Sequence, residues 1–242
     1  MTDIRRLVVV SAGVSDPSSS RLLADRITGK SLELLRESRT QASASVVELA
    51  PLAVEIARAT VSGFPSEQLQ AAIDRVAAAD ALVASTPIYK AGISGLFKSF
   101  VDMLDNDLLV AKPVLLAATA GTSRHALVID EQLRPLFGYM RALVLPTSVF
   151  AGPEDWASSE LGERIDRAAT ELAVIVQADV ERQITDRAWS AYQHQFAGNA
   201  SRAARTSEDI DFDSPLMRLA AGGTAPRAVD ETSDVRGSVP EP

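Results

Sequence analysis

Residues 80–109, Asp80-Ala-Leu-Val-Ala-Ser-Thr-Pro-Ile-Tyr-Lys-Ala-Gly-Ile-Ser-Gly-Leu-Phe-Lys-Ser-Phe-Val-Asp-Met-Leu-Asp-Asn-Asp-Leu-Leu, decide how the chain folds. Residues 81–85 form a short apolar run bounded by Asp80 and Pro87, the signature of a central parallel strand buried on both faces. Ile93, Leu96, Phe97, Phe100, Val101 and Leu104 recur at three- and four-residue steps and predict a helix over about 93–109. Between them, Thr86-Pro-Ile-Tyr-Lys-Ala-Gly falls at the carboxyl end of the strand, the edge where open α/β sheets bind ligands. Pro87 stiffens the turn, Tyr89 presents a flat ring and Gly92 lets backbone approach closely. A flat aromatic ligand suits such a loop. An ordinary strand-to-helix connection fits the same residues.

The same alternation continues on either side. Leu7–Ser11 is an unbroken apolar strand, followed by the hydroxyl-rich loop Ser11-Ala-Gly-Val-Ser-Asp-Pro-Ser-Ser-Ser and a helix over 19–37. Backbone N–H groups and the helix dipole make the start of that helix a natural anion site, and Ser18, Ser19 and Ser20 add hydroxyl donors. Serine also caps helices for structural reasons alone. The loop is neither a Walker A motif nor a G-x-G-x-x-G fingerprint. A second strand is expected over 45–50. Residues 51–64 lack a clear period and read as a loop with a helical turn, and a helix follows over 65–79. Residues 113–119 give another apolar strand, then Ala120-Gly-Thr-Ser-Arg-His and a helix over 123–140 in which Pro135 predicts a kink or break. A fifth strand over 142–150 contains Pro146, suggesting an edge or bulge. A long helix is expected over 158–191. Five strands alternating with helices imply one doubly wound parallel α/β sheet with helices on both faces.

Composition narrows the function. At 242 residues, 46% hydrophobic and 23% charged, the chain buries a sizeable core. The absence of cysteine excludes disulfides, thiolate metal sites and cysteine nucleophiles, and two histidines make a multi-histidine metal site a poor fit. The net charge of −8 argues against nucleic acid, and no run of about 20 apolar residues suggests a membrane span. Met1 leads directly into a strand without the pattern of a signal peptide, so a cytoplasmic protein is expected. Lys98 and Asp102, four apart, read as a surface pair.

The segment Thr86-Pro-Ile-Tyr-Lys-Ala-Gly-Ile-Ser-Gly-Leu-Phe-Lys-Ser-Phe-Val-Asp closely resembles the flavin loop and following helix of NAD(P)H-dependent FMN reductases of the flavodoxin-like superfamily. The alkanesulfonate-system reductases are the nearest group, and the likeness spans about residues 4–175. The resemblance implies a flavodoxin-like five-stranded sheet of order 2-1-3-4-5, in which the loops after strands 1, 3 and 4 converge. It implies FMN and NADPH or NADH as cofactors, with the FMN phosphate anchored by Ser18 and Ser20. Pro87, Ile88 and Tyr89 would lie along the isoalloxazine, Gly121 and Thr122 would meet its polar edge, and Ser11, Ser19 and Lys90 complete the expected cofactor-binding residues. Many relatives carry an arginine early in the first loop, where this chain has Val14 and Ser15, and Arg21 is the candidate replacement. No catalytic acid or base is assigned, because hydride chemistry belongs to the cofactors. His125 reads as a structural hydrogen-bonder and Arg124 as solvent-facing or a nucleotide-phosphate contact.

The resemblance further implies a homodimer or homotetramer, here expected through the 93–109 helix, and delivery of reduced flavin to a luciferase-like flavin-dependent monooxygenase. A quinone or azo-type reductase with bound FMN is the first alternative. A flavodoxin-like electron carrier is the second, disfavoured because Tyr89 is the one aromatic residue in the three loops. The domain is expected over 1–198, with an acidic tail over 199–242 that resembles the extension of actinobacterial FMN reductases partnered with such monooxygenases. Residues 205–242 hold eight acidic and four basic side chains and four prolines, a composition expected to be mostly disordered. Phe212, Leu216, Met217 and Leu219 form an apolar island, so 210–220 is a candidate docking segment.

Overall fold

The computed structural model of the protein describes residues 4–189. Its elements run β1 (Arg5–Ser11), α1 (Ser19–Glu37), β2 (Ala42–Glu48), α2 (Ala53–Ser62), α3 (Glu67–Ala77), β3 (Ala81–Tyr89), β4 (Gly92–Ile93), α4 (Gly95–Asp102), β5 (Pro113–Thr119), α5 (Arg134–Tyr139), β6 (Leu143–Val144), β7 (Val149–Ala151), α6 (Ser159–Gln177) and α7 (Val180–Ala188). The expected tail over 199–242, with its segment 210–220, lies outside the described residues.

The sheet is an α/β sheet of seven strands on the path β2-β1-β3-β5-β6, with β4 paired to β3 and β7 to β5. Every pairing is parallel except β3–β4. This corrects the expected five strands in 2-1-3-4-5 order, and the difference has two sources. Strand β3 continues past the sheet edge to Tyr89 and folds back as β4. The expected last strand is broken around Pro146, which has no N–H to give to a ladder. Its two pieces pair with opposite ends of β5, β6 at Pro113 and Val114 and β7 at Ala117, Ala118 and Thr119.

Side chains alternate across the sheet with period two, so each central strand feeds two cores. From β1, Leu7 and Val9 enter one core, Val8 and Val10 the other. In β3, Ala81 and Val83 oppose Leu82 and Ala84, and β5 divides Leu115 and Ala117 from Val114 and Leu116 in the same way. Leu23, Ile27, Leu161, Ile165 and Leu172 of α1 and α6 close one face. Ile56, Leu69, Ile73, Phe97, Phe100 and Phe137 of α2, α3, α4 and α5 close the other. Burial on both faces is why these strands carry no polar alternation.

Helix α1 has the predicted bounds, with Ser18 as N-cap accepting the N–H of Arg21 at 3.2 Å. Residues 53–62, expected as part of a loop with a helical turn, are the ten-residue helix α2. Only Ile56 and Ala59 of it are buried while Val54 and Val61 face solvent, so no apolar period reaches the sequence. Helix α4 stops at Asp102 rather than 109, and Phe97, Phe100, Val101 and Leu104 are all buried within the subunit. These side chains, on the helix expected to form a subunit contact, pack in the subunit's own core. The helix expected over 123–140 is a 3-10 turn at Ser123–His125, a π turn at Ile129–Leu133 and then α5. Pro135 follows the π turn within a continuous helical stretch, and the wider turn accommodates its missing N–H and its ring. The expected 158–191 helix breaks before α7 at Asp179, whose φ of 51° leaves the helical region.

Long-range ion pairs fix that break at the amino edge of the sheet. Arg5 Nη1 donates to Asp179 at 2.9 Å and to Asp80 at 3.3 Å. Lys112, at the start of β5, has 0% of its surface exposed. Its Nζ donates to Glu181 Oε1 of α7 at 3.2 Å, to the carbonyl of Ala77 at 3.3 Å, and to that of Ala79.

Candidate functional site

The opposite edge of the sheet has another character. Strands β1, β3 and β5 are consecutive neighbours, with Ser11 level with Ser85 and Ser85 level with Ala117, so their three following loops lie side by side. Hydrogen bonds tie the loops together. Ser20 Oγ and Thr119 Oγ1 are 2.7 Å apart, Ser19 Oγ donates to Thr119 Oγ1 at 3.4 Å, and Ser85 Oγ donates to the carbonyl of Ser20 at 2.8 Å. The N–H of Ala12 donates to the carbonyl of Ser85 at 3.0 Å.

The first loop folds tightly onto its own helix. A Cβ on Gly13 would lie 1.8 Å from Ser18 Oγ, so no other residue fits there without moving the loop. The candidate serines divide into two groups. Ser18 is half-buried at the helix cap and Ser19 is exposed, both beside the orphan N–H groups of the first turn. Ser20 is 1% exposed with its hydroxyl turned inward to Thr119, and Ser11 is likewise buried at the end of β1. Ser20 and Ser11 therefore build the floor of the site. Arg21 does not replace the missing arginine. Its Nε donates to Asp25 at 2.8 Å and its Nη1 pairs with Glu48. The Asp25 hydrogen bond, outweighing partial burial and joined by the charges of Asp25 and Glu48, raises the guanidinium pKa above its ordinary value.

The second loop is a hairpin. Pro87 and Ile88 are buried, Tyr89 is 50% exposed and Lys90 is exposed. Tyr89 pairs with Gly92, leaving Lys90 and Ala91 as the two turn residues, with φ of 51° and 62°. Two positive φ values mark a type I′ hairpin turn, which favours Asn-Gly. Lys and Ala in that region each cost about 1–2 kcal/mol, so the surrounding structure must hold them. At the hairpin base, the N–H of Ser94 donates to Thr86 Oγ1 at 3.2 Å and to the carbonyl of Pro87 at 3.1 Å. At its tip stands Gln132, which belongs to no recognisable motif.

In the third loop Gly121 is exposed and Thr122 half-buried, with Thr122 Oγ1 accepting the N–H of Arg124 at 3.3 Å. The His125 N–H donates to the carbonyl of Thr122 at 3.4 Å. His125 thus holds the 3-10 turn by its backbone, and its ring makes no hydrogen bond among the described residues. Arg124 and Lys90 are exposed and form no ion pair among the described residues. Val14, Tyr89 and Leu127, in or just after the three loops, are exposed large apolar side chains. An apolar rim, a hydroxyl-rich helix start and two uncompensated cations can take a flat, anionic, aromatic ligand. Among the described residues no cluster of acids and histidines could hold a metal ion.

A family model described as NADPH-dependent FMN reductase matches residues 5–157. An FMN reductase (NADPH) of Pseudomonas aeruginosa is 37% identical over 181 residues, covering 72% of this chain and 93% of the relative. The NADH-dependent FMN reductase SfnE of Pseudomonas putida is 40% identical over 177 residues, covering 69% and 90%. Among solved structures, an oxidoreductase of Corynebacterium diphtheriae superposes with a TM-score of 0.70 at 42% identity, over 72% of this chain and 98% of that one.

Proposed function

The chain belongs to the NADPH-dependent FMN reductase family, and from that premise we propose how its site works. The protein is an NAD(P)H-dependent FMN reductase. Bound FMN and nicotinamide nucleotide, held by the three loops, would supply hydride-transfer chemistry between them. The protein's part is to bind and orient both partners.

In this reading Ser18, Ser19 and the first N–H groups of α1 hold the phosphate, on a floor set by Ser11, Ser20 and Thr119. Pro87, Ile88 and Tyr89 support the isoalloxazine, and Gly121 and Thr122 meet its polar edge. Lys90 and Arg124 face the nucleotide side, where their free charges attract the anionic dinucleotide. The observation that carries the assignment is the chemistry of the three adjacent loops, with hydroxyls on the first and the exposed Tyr89 on the second.

The reading includes delivery of reduced FMN to a flavin-dependent monooxygenase of the luciferase-like type, and a cytoplasmic setting where nicotinamide nucleotides are held. Tyr89, the one aromatic residue in the three loops, supports a flavin that leaves. Assembly into a dimer or tetramer stays part of the proposal on a different surface. Val61, 90% exposed, lies with Val54 and Phe64 on and just after α2. No helix among the described residues is long and apolar enough to cross a membrane.

Fluorescence titration with FMN and riboflavin tests the phosphate site. FMN binds more tightly by about tenfold or more, as a charge-assisted phosphate contact requires. Ser18→Ala narrows that gap and leaves riboflavin affinity unchanged. Equal affinity of the native protein for both flavins overturns the assignment.

A further inference from the structure

We propose that Gln132 is a positioning residue that holds the Tyr89 hairpin in its binding conformation, an inference that rests on the flavin-facing role of that hairpin. The turn Lys90-Ala91 contains neither Gly nor Asn, yet both residues have positive φ. Nothing local specifies this conformation, so contacts from elsewhere must impose it. Gln132 supplies them. Its Nε2 donates to the carbonyl of Ala91 at 3.1 Å, and its Oε1 accepts the N–H of Ile93 at 3.1 Å. One side-chain amide thus spans the returning limb of the hairpin, across Gly92, where a Cβ would stand 3.5 Å from Oε1.

The placement of Gln132 has its own cause. It lies in the π turn Ile129–Leu133 immediately before Pro135. A proline cannot donate to the carbonyl four residues back and its ring crowds that group, so the preceding turn is widened. The widened turn continues from the loop after β5, 39 residues from Ile93. Gln132 therefore joins the loop assigned to the flavin's polar edge to the hairpin assigned to its ring, making them one unit.

The test compares Gln132→Leu, Gln132→Glu and Gln132→Leu combined with Ala91→Gly in the full chain. In flavin-free protein, amide exchange of Ile93 accelerates about tenfold in Gln132→Leu, the scale of one lost hydrogen bond. The FMN dissociation constant and the KM for FMN rise by about five- to tenfold, while kcat changes less than about twofold. Gln132→Glu keeps the acceptor for Ile93 but lacks the donor for Ala91, and falls between. Ala91→Gly makes the turn self-specifying and returns both constants to within about twofold of the native values. Unchanged Ile93 exchange and FMN affinity in Gln132→Leu overturn the proposal. Lost affinity that Ala91→Gly does not restore, with a lowered melting temperature, overturns it too, because Gln132 then serves only the fold. A native protein that binds no FMN breaks the functional reading instead, and the Ile93 exchange rates still decide whether the clamp exists.

Discussion

The two ends of the same sheet solve opposite problems. At the amino edge two charges held against the sheet are compensated: Lys112 by Glu181 and two carbonyls, Arg5 by Asp80 and Asp179. At the carboxyl edge Lys90 and Arg124 form no ion pair among the described residues, Tyr89 is half-exposed, and two turn residues are held in a disfavoured conformation. One edge is finished as a structure. The other is finished only when a ligand arrives, which is why cations, apolar rings and strain collect there.

The largest expected effect breaks the amino edge. Lys112→Met leaves Glu181 and two carbonyls without their buried partner and destabilises the fold by about 3–5 kcal/mol, read from chemical unfolding. The remaining folded protein binds FMN with unchanged affinity. Adding Glu181→Leu to Lys112→Met recovers part of the loss, since it removes the carboxylate that lost its cation while the two carbonyls still lack their donor. A parallel loss of FMN affinity would mean that the two edges are not separate.

An intermediate effect belongs to the carboxyl edge. Tyr89→Ala removes the exposed ring and weakens FMN binding by about three- to tenfold, the scale of one aromatic stacking contact. Melting temperature stays within about 1–2 °C, because the ring is half in solvent and carries little of the core. Tyr89→Phe restores the affinity. A Tyr89→Ala protein that melts far lower with native flavin affinity would reverse the roles of the two edges.

The smallest effect separates burial from charge. Lys98 and Asp102 on α4 form an exposed pair at 2.6 Å, shorter than the Lys112–Glu181 contact at 3.2 Å. Lys98→Ala nevertheless costs only a few tenths of a kcal/mol by thermal unfolding, since water screens the pair. A loss comparable to that of Lys112→Met would show that the amino edge is not special.

The regions differ in legibility too. Strands β1, β3 and β5 were readable because burial on both faces leaves an unbroken apolar run, and α1 because its serine cap and period agree. Helix α2 was not readable, since its exposed Val54 and Val61 blur the period. The break before α7 has no proline or glycine to announce it, because Arg5, about 170 residues earlier in the chain, holds Asp179 in place. In the site, the serine loop and Tyr89 were legible from residue chemistry. That Ser20 turns inward was not, because its partner Thr119 comes from a strand that sequence order separates by 99 residues. Arg21 looked available for the same reason: Asp25 is visible at a helical spacing, but Glu48 is not. Lys112 before an apolar strand resembles any flanking cation until α7 is seen covering it.

The broken last strand bears on how copies of this protein can meet. An open sheet has two borders where unpaired N–H and C=O groups invite a strand from another chain. Here side chains bond to both over part of their length. At the β2 border, Arg75 donates to the carbonyl of Val46 at 3.2 Å. At the other, Arg134 donates to the carbonyls of Leu145 and Pro146 at 2.9 and 3.2 Å, and Glu171 accepts the N–H of Thr147 at 2.8 Å. Side chains thus sit on part of each border, where an added strand would have to displace them, and this disfavours strand addition relative to contact through helix faces.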